Sequence, residues 1–401
     1  MTERAEPASV LGEGVVSRLV AELHAAVKRK PAREALLGGA VSALCPHSSE
    51  LAQELVDALE ILVRRGSFDR PLYSPLARGL AEARIPRAAA SIARALEAAD
   101  GGGLATLGAA ALSDHPALTA PLVALSVSRH AHVAFAAEVA RVARRESNGA
   151  HAVAVAPMIS EANRIALCQD VLVTWSWRRE LAPGLAPALA ALRGAERHLG
   201  RWLLLAELGV RWGDDEALAE AEREAATGPA ATRSAWTLVA WALAAPGADP
   251  AVRPTLELVT RLSDRPTADK DTSFLFRLAS ARVPSARSLL QHLSRGPLES
   301  ATAVRAALHL ARDFGDPRSR RELVDALGSR RREPLQGLVA AALYDLGEQA
   351  IALDGARELA TSHHLPTLTF ANLVLAAALG KEPLPLLTEP RVRRIQLGWS
   401  P

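Results

Sequence analysis

Six of the seven tryptophans, Trp175, Trp177, Trp202, Trp212, Trp236 and Trp241, fall in one stretch of the chain. Trp is enriched at binding hot spots, and its indole face stacks on nucleobases. A groove lined by these side chains would take a peptide or unstacked bases. The same residues would equally supply bulk to an Ala-rich core, and the sequence leaves both readings open. Positive charge is densest at Arg318, Arg320 and Arg321 with Arg330, Arg331 and Arg332, and again at Arg391, Arg393 and Arg394. Such clusters suit phosphate or an acidic peptide. They also suit a solvated helix end, where cations complement the macrodipole.

Metal and catalytic chemistry find less support. His130 with His132, and His363 with His364, lack the i, i+4 spacing that sets two ligands on one helical face, and no Cys or acidic cluster accompanies them. No metal or other cofactor is expected. Asp214, Asp215 and Glu216 read as a helix N-terminus, where a side-chain oxygen caps free amides and negative charge meets the dipole. The chain has no P-loop, no G-x-S-x-G elbow and no G-x-G-x-x-G behind a strand. No catalytic residue is assigned, and a non-enzyme is the expected class.

The elements that must position these residues are helical. Of the 401 residues 49% are hydrophobic but only 4% aromatic, so Ala and Leu, both strong helix formers, supply the apolar surface. Net charge is +3 and the pI about 9.2. Lys28, Lys30, Lys270 and Lys381 are the only lysines, and Arg alternates with Glu and Asp along most of the chain. A nucleic-acid binder would instead gather its charge on one face.

Cys45 and Cys168 do not make a disulfide framework and read as buried thiols of a reducing compartment, which places the chain in the cytoplasm. The start, MTERAEPASV, has no apolar run after a basic head, and no secretory signal is expected. Within the uncharged run 359–380, the apolar part from Leu365 to Leu379 falls short of the roughly 20 residues of a membrane span. A buried helix is expected there, and no membrane partner.

Breaks between helical patterns recur. From Gly315-Asp316-Pro317 they step back through Arg282-Val283-Pro284, Gly247-Ala248-Asp249-Pro250 and Gly213-Asp214, and forward to Gly347-Glu348 and Gly380-Lys381. Looser breaks precede them at Leu181-Ala182-Pro183, Ser147-Asn148-Gly149, Ser113–Pro116, Arg84-Ile85-Pro86 and Cys45-Pro46. A spacing of about 34 residues is the mark of a repeat array. Gly ends one helix in the left-handed conformation, Asp or Ser caps the next, and Pro sits in its first turn. The expectation is an all-α chain, an α-solenoid of about ten antiparallel helix pairs over residues 9–380. Residues 1–8 read as disordered, residues 381–401 as a Pro- and Arg-containing tail or cap, and Gly101-Gly102-Gly103 as a break or change of curvature. Pro246–Pro254 and Ser263–Asp271 read as polar loops.

The segment GDPRSRRELVDAL, Gly315–Leu327, resembles the inter-helix turn and second helix of the HEAT-repeat family. That resemblance is clearest in the C-terminal repeats. It implies a superhelix whose second helices line a concave face, and a non-catalytic scaffold that binds another protein or a peptide there. The alternative is a nucleic-acid-binding protein of the HEAT-like DNA glycosylase type, which TWSWRRE, Thr174–Glu180, with Trp202, Trp212 and Trp236 resembles. No Asp is matched to a catalytic position of that family.

Overall fold

The computed structural model describes residues 11–12, 14–29, 33–98, 103–168, 185–196, 202, 205–206, 216–229, 233, 236, 240, 284–294, 298, 300–328 and 333–380. Among these, every regular element is helical, with no strand, so the all-α class expected from composition is the class observed. The helices are α1 (Val15–Lys28), α2 (Glu34–Leu44), α3 (Ser49–Arg64), α4 (Tyr73–Glu82), α5 (Pro86–Leu96), α6 (Leu104–Ala110), α7 (Thr119–Ser126), α8 (Ala131–Ala143) and α9 (Ala150–Val155). They continue as α10 (Glu161–Leu167), α11 (Leu185–Gly194), α12 (Glu216–Thr227), α13 (Pro284–Leu293), α14 (Ala301–Asp313), α15 (Pro317–Leu327), α16 (Glu333–Asp345), α17 (Gln349–Leu359) and α18 (Leu365–Gly380).

The break residues stand where helices stop. Gly149, Gly315 and Gly347 have φ of 79°, 64° and 84°, in the left-handed region that glycine enters without a Cβ penalty. Pro86, Pro284 and Pro317 each open a helix, α5, α13 and α15, where a missing N–H forfeits no helical bond. Ser48 caps α3 by accepting from the Leu51 amide at 3.2 Å. The breaks at Leu181–Pro183, Gly213-Asp214 and Gly247–Pro250 lie outside the described residues, as do both polar loops, Gly101 and Gly102, the N-terminal eight residues and the tail from Lys381.

The chain divides into two compact units. The first comprises Met1–Ser91, Gly296–Leu308 and Pro317–Ser400. Its core is built on leucines at helical spacing, such as Leu51, Leu55, Leu59 and Leu62 of α3, all fully buried; each contributes about 1.5–3 kcal/mol. The last carbonyls of α1 have no helical partner, and arginines supply one. Arg70 donates to Ala26 O at 2.8 Å and to Val27 O at 3.3 Å, and Arg65 to Val27 O at 3.0 Å. Arg70 also pairs with buried Glu34 at 2.7 Å.

The apolar run at 365–380 forms the buried helix expected of it, α18. No helix among the described residues is long and apolar enough to cross a membrane. It packs on α16 and α17, and also on α2. Buried Asn372 fixes this arrangement. Its Oδ1 accepts from Gly12 N at 2.9 Å, and its Nδ2 donates to Ala360 O and Leu368 O, each at 2.8 Å. Arg18 adds bonds to Ser362 O at 2.7 Å and His363 O at 3.0 Å. Gly12 and Asn372 are 360 residues apart in sequence, so this bond is additional to the contacts between helices that are neighbours in the chain.

Both cysteines are buried and unbridged. Burial, with the Glu82 charge adding to it, pushes the Cys45 thiol up to about 12, which removes the thiolate that redox chemistry needs. The second unit comprises Ile92–Arg295 with His309–Asp316. In it α7 packs on α8 and α8 on α9, around buried Leu122, Phe135 and Val139.

Candidate functional site

Within the second unit, a groove of about 530 Å³ lies between the turn that joins α7 to α8 and the turn that joins α9 to α10. One wall is Val127, Ser128, Arg129, His130 and His132; the other carries His151, Met158, Ser160 and Asn163.

Local chemistry fixes both walls. Ser128 Oγ accepts from His130 N at 3.2 Å, folding the first turn tightly. On the other side Ser160 Oγ accepts from Asn163 N at 3.4 Å and caps α10, while Arg164 donates to Ile159 O at 2.7 Å. Helix α7 is held to α8 at both ends. At its start, Arg144 of the turn after α8 donates to Thr119 Oγ1 at 3.0 Å, His115 O at 3.0 Å and Glu146 at 2.6 Å, and also to Ser113 O. At its end, Arg141 donates to Ser126 Oγ at 3.3 Å and to buried Glu138 at 2.8 Å.

The groove's surface is part apolar and part basic. Val127 is 76% exposed and Met158 65%, and Val123, four residues before Val127, is 44% exposed. Large aliphatic side chains left this open are informative when clustered. Arg129 Nε lies 3.3 Å from His130 Nε2, and the His130 and His132 ring centroids are 6.1 Å apart. No Asp or Glu is among the described residues that line it. Nor does any group of three His, Cys, Asp or Glu among the described residues have the proximity to hold a metal ion.

The tryptophans singled out by sequence take a different place. Trp202 is only 3% exposed and meets Trp236 edge to face, with centroids 4.7 Å apart and planes at 89°. Ala206, Ala217 and Ala221 complete the cluster, and the Arg193 guanidinium stands 5.4 Å from the Trp202 ring centre. Such edge-to-face and cation–π contacts add about 0.5–1.5 kcal/mol each. Trp202 is thus a core side chain. Trp175, Trp177, Trp212 and Trp241 lie outside the described residues.

Of the first arginine cluster, Arg318 pairs with Glu322 at 2.8 Å and Arg320 with Glu348 at 2.9 Å, and Arg320 also donates to Leu346 O. Arg321 is exposed. Arg330, Arg331, Arg332 and the tail arginines lie outside the described residues, as do Asp214 and Asp215, while Glu216 opens α12. His363 and His364 sit in the turn before α18. Asp313, in α14, is a carboxyl shifted by its surroundings. Burial alone would raise it, but hydrogen bonds from His309 at 2.7 Å and Arg312 at 2.8 Å, with their charges, hold it below its ordinary value.

In the sequence His130 and His132 stand out only as a candidate metal pair, with nothing that joins them to His151 and Met158. The groove's parts come from two turns separated by two helices, α8 and α9. The usable signal was aliphatic residues, Val127 and Met158, at turns where polar ones are the rule. Neither a family model, nor a curated protein, nor a solved structure matches the chain.

Proposed function

We propose that this chain is a HEAT-like α-solenoid, with helix pairs at a period near 34 residues, that serves in the cytoplasm as a non-catalytic scaffold binding another protein. The observation that carries this reading is the open apolar surface of Val127 and Met158 on the groove. These are two of the five exposed large hydrophobic residues among those described, the other three being Val123, Ile351 and Leu379. An apolar cluster rimmed by polar groups is the usual mark of a protein contact. The helix breaks at Gly149, Gly315-Asp316-Pro317 and Gly347 support the repeat reading.

The glycosylase alternative asks for exposed tryptophans beside unpaired arginines. Buried Trp202 and the ion pairs of Arg318 and Arg320 give it no support. A mobility-shift titration of the full chain with labelled duplex DNA separates the two. The scaffold reading expects no complex at low salt. A complex that weakens steeply as salt rises, the signature of phosphate contacts, would overturn it in favour of nucleic acid.

A further inference from the structure

We infer that the groove between the α7–α8 and α9–α10 turns docks a short acidic segment of a partner protein, with one large apolar side chain set among its carboxylates. The inference rests on the protein-binding reading above and names the partner's chemistry. Its apolar half is the Val127–Met158 surface, which has no covering side chain dense enough to hide it: 76% and 65% of these residues remain exposed. Its polar half carries one permanent charge, that of Arg129, beside serine, asparagine and histidine side chains. Arg129, His130, His132 and His151 are its titratable lining, with no Asp or Glu among the described lining residues.

The Arg129 charge favours an anionic occupant, and the exposed apolar rim of Val127 and Met158 favours a peptide over a free phosphate or a nucleic-acid backbone. The start of α8 adds to this. His130 is its N-cap residue and provides no side-chain cap bond, so the positive end of a 13-residue helix lies at the same edge as Arg129, favourable for a carboxylate. The walls are already fixed by Arg141, Arg144, Ser128 and Ser160. A preorganised groove loses little ordering entropy when it is filled, so a short segment suffices.

The test is selection of a random 12-residue peptide display library on the full chain, followed by fluorescence anisotropy with the best synthetic peptide. The proposal expects selected sequences to carry two or more Asp or Glu around a Leu, Ile, Phe or Met. It expects affinity to fall at least about 10-fold, or 1.4 kcal/mol, in Arg129→Glu and in Met158→Asp. Both residues are exposed, so circular dichroism should show an unchanged fold, and Ile351→Asp should leave binding unaltered. Self-association of the chain that disappears in Met158→Asp would place a second copy in the groove and overturn the proposal. Peptides that bind but ignore both groove substitutions overturn the site and leave the protein-binding reading standing, whereas failure to select any peptide counts against both.

Discussion

Arg144→Ala is expected to loosen α7 from α8 and to cost about 3 kcal/mol, because it strips partners from several groups at once. The Arg144 side chain is 2% exposed, and it serves the Ser113 and His115 carbonyls, the Thr119 hydroxyl and the Glu146 carboxylate together. Only a planar guanidinium reaches all four. Arg144→Lys keeps the charge but presents a single point of contact, so it should recover less than half of the loss. Hydrogen exchange is the measurement suited to a local change. Amides of α7 should exchange roughly 100-fold faster in Arg144→Ala, in keeping with about 3 kcal/mol, while those of α3 should be unaffected. Uniform acceleration across both helices, or none, would show that the guanidinium does not hold this joint.

The second large effect concerns a helix crossing in the first unit. A Cβ at Gly337 would lie 2.5 Å from Thr367 O and 2.7 Å from Thr367 Cα, so α16 and α18 meet through bare backbone at that point. Ala is the better helix former by about 1 kcal/mol, yet the clash is with a backbone that cannot swing aside. Gly337→Ala should therefore destabilise by about 3 kcal/mol, at the upper end of overpacking costs. Gly79 repeats the device between α4 and α2, with Ser42 Cα 2.9 Å from its would-be Cβ. Gly328 is the control, since only the Asp325 carbonyl comes within 4 Å, at 3.8 Å, and Gly328→Ala should be neutral or stabilise by about 0.5 kcal/mol. Urea unfolding followed by circular dichroism compares the two. Equal midpoints for both variants would mean that the crossing adjusts freely.

What could be read from the chain beforehand follows from the range of each interaction. Helix stops are local, and Gly315-Asp316-Pro317, Pro86 and Pro284 behave as their own backbone chemistry requires. The burial of α18 was equally legible, because an uncharged helix has no face to give to water. The bond from Gly12 to Asn372 was not, since it joins residues 360 positions apart and no period in the sequence encodes it. Gly337 read only as a weak helix former; its use as a crossing point depends on a helix two elements later. For Trp202 and Trp236 the sequence is compatible with groove or core, and their mutual contact decides for the core at Trp202. The groove itself was hidden because its apolar and basic halves are each unremarkable until α8 and α9 bring the two turns together.

The central claim is that this chain binds another protein, and that the contact runs through the groove beside Met158. Its most direct test is a photo-reactive benzoylphenylalanine at position 158 of the full chain, irradiated in an extract of the native host. The expected result is a discrete covalent adduct with another polypeptide that is lost when Arg129→Glu is added and is absent when the same probe replaces Ile351. Adducts to nucleic acid, or the same adducts from both positions whatever stands at 129, would contradict it.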